Sequence, residues 1–275
     1  MAPPMAAWAV VGSYVLMVLS NYLSMKKFFG GKDNKQISDE HPTYVSPDGK
    51  TFAIWGMIYL METVTVVAQA IPSTRTEELM GRRCSVTGLD VRERMVFAFL
   101  ANAVWLPFFT TERFWGALII MVIYLGFLLG VYKDLNVSNT TGVTERICFT
   151  AGIALNASWI VVALMVNTFL CLGLVGWQDQ YGVAGSVPAA MVVVALVAIL
   201  GMERALQQCD LAWSFVAAWA LLGIYRMQSV PDRVRFPISA LSSTLSSYAF
   251  WCSMAVWATM ATGAGLAVYF RFIRK

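Results

Sequence analysis

Two apolar segments of the chain carry the same short pattern, Asn102-Ala-Val-Trp105 and Asn156-Ala-Ser-Trp159. Counted from the Glu-Arg pair that begins each segment, the asparagines lie 8 and 10 residues along. At about 1.5 Å per residue, that is roughly 12 to 15 Å deep, near the midplane of a bilayer. An amide there has no water to satisfy it, so it must meet a protein partner, a polar cavity or a ligand. The pattern predicts a polar pocket inside a helix bundle, with helix packing alone as the alternative.

A third polar group, Glu62, lies at a similar depth in another apolar segment. Trp55, Tyr59 and Glu62 follow one another at spacings of 4 and 3 residues, which puts them on one helical face. One interpretation is that Glu62 is protonated or bonded to Asn102, Asn156 or a hydroxyl and holds the helices together. The other is that Glu62 contacts a ligand or carries a proton.

The reactive side chains exclude several other function classes. The five cysteines are scattered without a Cys-x-x-Cys spacing and His41 is the one histidine, so we expect neither a structural zinc site nor haem ligation by histidine pairs. The seven lysines fall outside the predicted spans, which leaves no buried amine for a retinal Schiff base. Without a nucleophile-base pair or a metal-ligand set, we expect no enzyme activity and no covalent cofactor.

Membrane helices must position these polar groups. The 275 residues are 58% hydrophobic and 13% charged, with a mean hydropathy of +0.63, which is more apolar than a soluble domain requires. Runs near the required length of about 20 residues predict eight helices, with seven or nine as alternatives. They cover roughly residues 5–24, 51–72, 95–111, 114–132, 147–170, 184–202, 211–227 and 246–270. The predicted fold class is therefore all-α, a polytopic membrane helical bundle.

The polar segments between the spans indicate contact with lipid. A net charge of +4 suits ordinary headgroup contact, and we expect no nucleic-acid partner. Lysines and arginines are shared too evenly between the two sides to fix the orientation. The first loop, about residues 25–50, ends with Pro42, Pro47 and Gly49. These residues favour a defined turn structure, either a lid over the pocket mouth or simply an ordered loop.

Three motifs in order carry a resemblance to a known family. They are Ser46-Pro-Asp-Gly49-Lys-Thr-Phe-Ala-Ile-Trp55-Gly-Met-Ile-Tyr59, Asn102-Ala-Val-Trp-Leu-Pro-Phe-Phe109 and Leu155-Asn156-Ala-Ser-Trp159. They resemble the TspO/MBR family, the tryptophan-rich sensory proteins and translocator proteins. The likeness covers about residues 10–170, a five-helix core, and looks most like the longer branch in which extra helices follow. It predicts a TspO-like core at 1–170 and additional C-terminal transmembrane helices at 171–275, within one integral membrane unit.

The resemblance implies a bundle, often dimeric, that binds a tetrapyrrole such as protoporphyrin and, in some members, a sterol. The chain positions that match the family motifs are Trp55, Tyr59, Asn102, Trp105, Pro107, Asn156 and Trp159. With Glu62 added from its helical face, these are the predicted ligand-binding residues. A sterol-contact pattern also runs from Leu266 to Arg271. An aromatic belt with a snorkelling arginine explains that pattern equally well.

The sequence therefore predicts an integral membrane protein that binds a flat hydrophobic ligand without a covalent bond. A tetrapyrrole is the first choice, with another pigment or a sterol as alternatives, and the protein would act as a sensor, carrier or scavenger. A second hypothesis is a structural accessory subunit of a larger photosynthetic or respiratory complex, which would place it in an organellar membrane. A third is a secondary transporter that depends on Glu62. The expected partners are the bilayer, the ligand and a homodimer or larger membrane complex.

Overall fold

The computed structural model describes residues 4–229 and 236–273, and regular secondary structure in these ranges is helical apart from isolated bridges. Its eight long helices are α1 Met5–Met25, α2 Ile54–Ala70, α3 Val91–Thr110, α4 Phe114–Leu135, α5 Gly152–Leu174, α6 Val187–Gln208, α7 Leu211–Ser229 and α8 Ser243–Ile273. The predicted all-α bundle is confirmed, with one long helix at each predicted span. Side chains are described through residue 265, so the sterol-contact pattern from Leu266 to Arg271 lies outside the described side chains.

Five stretches of the described residues are long and apolar enough to cross a membrane. They are Met5–Met25, Gly49–Ala70, Phe114–Leu135, Gly142–Leu174 and Val187–Gln208, and they contain α1, α2, α4, α5 and α6. Helix α3 is less apolar because its first turn carries two arginines and a glutamate, Arg92, Glu93 and Arg94. Helix α8 begins with a polar run, Ser243-Thr-Leu-Ser-Ser.

Local signals set the helix boundaries around the candidate site. Asp90 accepts a hydrogen bond from the backbone N–H of Glu93, and the Glu93 carboxylate accepts one from the N–H of Asp90. This capping box satisfies two of the orphan donors at the start of α3. Before α5, the short helix Gly142–Glu145 continues into a π-helical stretch, Arg146–Ala151. The extra residue per turn in a π-helix rotates the side chains that follow it.

The chain divides into two compact units, of which unit 1 comprises Met1–Ile37 and Gly56–Ile160. It contains α1, α3 and α4, most of α2 and the first part of α5. Helix α3 packs against both α1 and α4. Fully buried apolar side chains such as Met17, Phe99 and Met121 fill the space between them.

Unit 2 comprises Ser38–Trp55 and Val161–Lys275. Helices α6, α7 and α8 pack against one another, and the end of the first loop packs against α7. The Trp219 indole N–H donates to the carbonyl oxygen of Thr51 at 2.9 Å. A Cβ on Gly223 would overlap the Thr51 side chain, so glycine permits this close approach. The unit boundary falls inside α5, and the division after residue 170, drawn from the resemblance, stays a prediction of where the family core ends.

The connection between α5 and α6 folds against the first loop within unit 2. The N–H of Ala184 donates to the Pro42 carbonyl at 2.9 Å, and the N–H of Tyr44 donates to the Ala184 carbonyl at 3.2 Å. The Tyr44 hydroxyl donates to the Asp179 carboxylate at 2.6 Å. Burial and this hydrogen bond to a carboxylate raise the pKa of Tyr44 above its usual range. The first loop is therefore an ordered structure, as its prolines and glycine indicated.

Candidate ligand site

Asn156 lies at the centre of a buried polar cluster in unit 1. Its side-chain Nδ2 donates to Glu62 Oε1 at 2.5 Å and to the Tyr124 hydroxyl at 2.6 Å. All three side chains are buried. One amide therefore ties together α2, α4 and α5 through both of its N–H groups.

Asn102 belongs to a second polar cluster, which connects α3 to α1 and α2. Asn21 Nδ2 donates to Asn102 Oδ1 at 3.0 Å, and the Tyr59 hydroxyl donates to Asn21 Oδ1 at 2.6 Å. Asn102 also interacts with the Tyr124 hydroxyl, so the two clusters join. We call this set the polar network; its six side chains are Asn21, Tyr59, Glu62, Asn102, Tyr124 and Asn156. It connects all five helices of unit 1.

A glycine on α5 allows the contact between Asn156 and Glu62. A Cβ on Gly152 would lie 2.7 Å from backbone atoms of Met61 and Glu62, closer than real Cβ atoms approach. Without that Cβ, the α5 backbone can lie directly against α2. Asn156 follows one helical turn later on the same face and reaches the carboxylate.

Four buried polar atoms in unit 1 have no hydrogen-bond partner among the described residues. They are Glu62 Oε2, Asn156 Oδ1, Trp105 Nε1 and Arg146 Nε. The first two are acceptors on side chains that already bond to each other, and the other two are donors. A buried polar group without a partner costs about 1–3 kcal/mol, so these atoms mark places where a ligand group or a proton would be stabilised.

Trp105 forms part of an aromatic row at the end of α3. Its ring stacks on Phe109 with centroids 4.9 Å apart, and Phe109 meets Phe114 edge-on at 5.7 Å. Pro107 lies between Trp105 and Phe109 inside the helix. Because proline has no N–H, it removes one backbone hydrogen bond from this turn.

The eight predicted ligand-binding residues divide between the network, the aromatic row and other positions. Tyr59, Glu62, Asn102 and Asn156 are members of the polar network. Trp105 and Pro107 belong to the aromatic row, and Trp159 is buried on α5 three residues after Asn156. Trp55 is half-buried in the first turn of α2 and falls in unit 2.

Comparison with protein families decides what kind of protein holds this network. A family model described as TSPO-like protein matches residues 7–265. The chain belongs to the TSPO-like protein family. The family match runs from α1 into α8 and so includes the helices that follow α5, whereas the five-helix core at 1–170 stays a prediction. Neither the curated proteins nor the solved structures gave a match.

Family membership and the five apolar stretches make this TSPO-like chain an integral membrane protein in contact with a lipid bilayer. Five of the six side chains of the polar network lie on α1, α2, α4 and α5, which belong to these stretches, and Asn102 lies on α3. Hydrocarbon offers these side chains no water, so each must be satisfied by another group of the protein or by a ligand.

Sequence reasoning missed two members of the network in the TSPO-like chain, Asn21 and Tyr124. Asn21 is an amide within the first apolar segment. The argument that an amide inside a membrane helix needs a polar partner, which selected Asn102 and Asn156, would have selected Asn21 too. Tyr124 carries the one hydroxyl in the stretch Ala117-Leu-Ile-Ile-Met-Val-Ile-Tyr124-Leu, whose other side chains are apolar. Its phenol was the available signal, but tyrosine in a membrane helix is usually attributed to interfacial position or packing.

Proposed function

We propose that unit 1 of this protein binds a tetrapyrrole among the helices that hold the polar network, and that it acts as a sensor, carrier or scavenger without catalysing a reaction. The observation that carries the proposal is the pair of unpaired buried acceptors, Glu62 Oε2 and Asn156 Oδ1, in a member of the TSPO-like family. A free-base porphyrin is flat and apolar and carries N–H donors at its centre. Acceptors set among aromatic side chains suit such a ligand.

Trp105 supports the same ligand class because it offers a hydrogen-bond donor. Its indole N–H is buried, 8% of the residue is exposed, and the N–H has no acceptor among the described residues. Protoporphyrin IX carries carboxylate side groups, which accept hydrogen bonds from such a donor. The stacked ring of Phe109 extends the aromatic surface against which a macrocycle would pack.

A competing explanation for the unpaired acceptors needs no ligand. A neutral Glu62 carries a hydrogen on one carboxyl oxygen, and that hydrogen could be donated to Asn156 Oδ1. Both acceptors would then be satisfied inside the protein, and the pair would only fix the packing of α5 on α2. The two explanations differ in whether a change at Glu62 alters ligand affinity.

The test is a titration of the purified, detergent-solubilised chain with protoporphyrin IX. Tryptophan fluorescence and porphyrin absorbance are followed together, with inner-filter controls, so that removal of one tryptophan does not bias the result. The variants are Trp105→Phe, which keeps a ring and removes the N–H donor, and Glu62→Gln. Trp251→Phe is the matched control, because Trp251 is 69% exposed on α8 in unit 2.

We expect saturable binding that either unit 1 variant weakens about tenfold, equivalent to about 1.4 kcal/mol, and that the control leaves unchanged. Saturable binding unaffected by both unit 1 variants would favour the internal pair. No saturable binding by a folded sample would contradict the proposal and favour the accessory-subunit hypothesis. Porphyrin flux into liposomes that Glu62→Gln abolishes would favour the transporter. A homodimer or larger complex stays a prediction.

A further inference from the structure

A basic surface lies at one end of unit 1, directly after the apolar stretch Met5–Met25. Lys26 and Lys27 follow that stretch, and both side chains are exposed. Arg113 is exposed at the start of α4. We call Lys26, Lys27 and Arg113 the basic patch. None of the three forms an ion pair with a described residue.

Two contacts bring the parts of the basic patch to the same end of the bundle. A Cβ on Gly30 would lie 2.3 Å from the Thr110 carbonyl oxygen, so glycine lets the chain after α1 lie against the end of α3. Lys32 Nζ pairs with Glu112 Oε1 at 2.5 Å. Because Arg113 follows Glu112 directly, the exit from α1 and the turn between α3 and α4 form one surface.

The carboxylates of unit 1 at this end do not neutralise the surface. Residues 26–37 and 110–115 carry five cations and two carboxylates, which is a net charge of +3. One carboxylate, Glu112, pairs with Lys32. The other, Asp33, accepts a hydrogen bond from the backbone N–H of Gln36 at 2.9 Å. The basic patch therefore keeps its positive charge and attracts an anion.

The opposite end of unit 1 is nearly neutral, because most of its arginines have carboxylate partners. Residues 73–94 and 133–146 carry seven cations and six carboxylates. Arg92 pairs with Glu77 at 2.7 Å, and Arg94 pairs with Asp134 at 2.7 Å. The attraction for anions is therefore stronger at the end that carries the basic patch.

A stripe of exposed side chains on α1 leads from the apolar region to the basic patch. Val15, Leu19 and Tyr22 are each about half exposed, and they precede Lys26 at spacings of 4, 3 and 4 residues. This spacing places all four on one helical face. The Lys26 ammonium lies over the Tyr22 ring, 5.6 Å from its centroid. The face is apolar along α1 and charged where α1 ends.

Further apolar side chains border the basic patch itself. Met25 and Phe28, on either side of the two lysines, are 74% and 71% exposed. Trp115, two residues after Arg113, is also exposed. Aromatic side chains beside cations are typical of the boundary between hydrocarbon and headgroups. A small soluble anion would match the charges and leave these apolar side chains in water, whereas a lipid matches both.

We propose that the basic patch binds the phosphate of an anionic phospholipid, whose acyl chain lies along Val15, Leu19 and Tyr22. Lys26, Lys27 and Arg113 supply the charge that recognises the headgroup. The face of α1 supplies the apolar contact. None of these residues belongs to the polar network or to the aromatic row, so the lipid site does not depend on the tetrapyrrole proposal.

The test measures lipid binding to the full detergent-solubilised chain by native mass spectrometry. The probes are dioleoyl phosphatidylglycerol and dioleoyl phosphatidylcholine, which share their acyl chains and differ in net charge. The variants are the double substitution Lys26→Gln/Lys27→Gln and the single substitution Arg113→Gln. The matched control is Arg83→Gln/Lys133→Gln, which removes two exposed cations at the opposite end of unit 1.

We expect phosphatidylglycerol to bind about tenfold more tightly than phosphatidylcholine. The double lysine variant should weaken phosphatidylglycerol binding about twentyfold and Arg113→Gln about fivefold, since each cation near a headgroup contributes separately. The control should change the affinity less than about twofold. Equal affinity for the two lipids, or an equal loss in the control variant, would overturn the proposal.

A competition experiment separates a lipid from a free phosphate compound. Glycerol 3-phosphate carries the charge of the headgroup without acyl chains. We expect it to leave phosphatidylglycerol bound when both are present at the same concentration, because it lacks the contact with α1. Displacement of the lipid by glycerol 3-phosphate would overturn the proposal, since the charges alone would then account for binding.

Discussion

Asn156 shows how one buried amide can hold a membrane bundle together. Its two N–H groups reach Glu62 and Tyr124 on different helices. Removing the amide would leave a carboxyl group and a phenol buried with fewer partners, in a region without water. The loss of an average membrane hydrogen bond costs only about 0.6 kcal/mol, whereas a buried polar group left unpaired costs about 1–3 kcal/mol. The second effect is the larger one.

We therefore predict that Asn156→Leu destabilises the protein by about 2 kcal/mol, most of it from the groups left unpaired. The measurement is thermal unfolding in detergent, followed by the loss of helical circular dichroism. Asn167→Leu is the matched control on the same helix, since Asn167 Nδ2 donates to Ala163 O one turn away and reaches no other helix in the described contacts. Equal destabilisation by the two variants would contradict this account.

Cys84 provides a residue-scale prediction outside the membrane spans. Backbone N–H groups of Thr87 and Val86 favour the thiolate and lower the pKa of the Cys84 thiol to about 7. An ordinary cysteine thiol has a pKa of about 8.5. Alkylation requires the thiolate, so the alkylation rate should rise with pH and reach half its maximum near the pKa of Cys84, about 7.

We expect iodoacetamide labelling of Cys84, followed by peptide mass spectrometry, to reach its half-maximal rate at about pH 7. Thr87→Ala removes a side-chain contact to the thiol and should move that midpoint upward. An ordinary thiol would give a midpoint near pH 8.5. If the unmodified chain gave that midpoint, the backbone N–H groups of Thr87 and Val86 would not stabilise the thiolate.

The helices could be predicted from the sequence, but their contacts could not. Apolar runs predicted the position of each long helix, and five of the eight lie in stretches long and apolar enough to cross a bilayer. The start of α5 differs from the prediction, since the π-helical stretch Arg146–Ala151 precedes the regular helix. The pairing of Asn156 with Glu62 and Tyr124 depends on which helices are neighbours. Periodicity along one helix carries no information about that.

Gly152 is the clearest test of how α5 packs on α2. Replacing it with alanine would place a Cβ 2.7 Å from the backbone beside Glu62, and backbone atoms cannot move aside as a flexible side chain can. We predict that Gly152→Ala separates the two helices and costs about 2 kcal/mol, which exceeds the gain of roughly 0.5–1 kcal/mol from replacing a helical glycine. Unfolding temperatures of the purified variants check this.

Gly126→Ala is the matched control for the helix-packing prediction. Gly126 lies within α4, and a Cβ there meets nothing within 4 Å. We expect this variant to be neutral or slightly more stable, because alanine favours a helix over glycine. If Gly152→Ala and Gly126→Ala changed the unfolding temperature equally, the prediction that α5 lies directly against α2 at Gly152 would be wrong.

At the scale of the whole molecule, the family match covers both units, from α1 into α8. Unit 1 holds the polar network and the unpaired acceptors Glu62 Oε2 and Asn156 Oδ1. The proposed tetrapyrrole is therefore expected to contact residues of unit 1, and substitutions confined to unit 2 are expected to leave its affinity unchanged.

The central claim is that a tetrapyrrole contacts Glu62, and infrared difference spectroscopy tests it most directly. Spectra of the chain with and without protoporphyrin IX would be recorded with carbon-13 labelled glutamate, and Glu62→Gln would identify which carboxyl band belongs to Glu62. We predict that this band shifts when the porphyrin binds and that the shift is missing in Glu62→Gln. Saturable porphyrin binding with an unchanged Glu62 band would contradict the account. It would indicate that the polar network only holds the helices together.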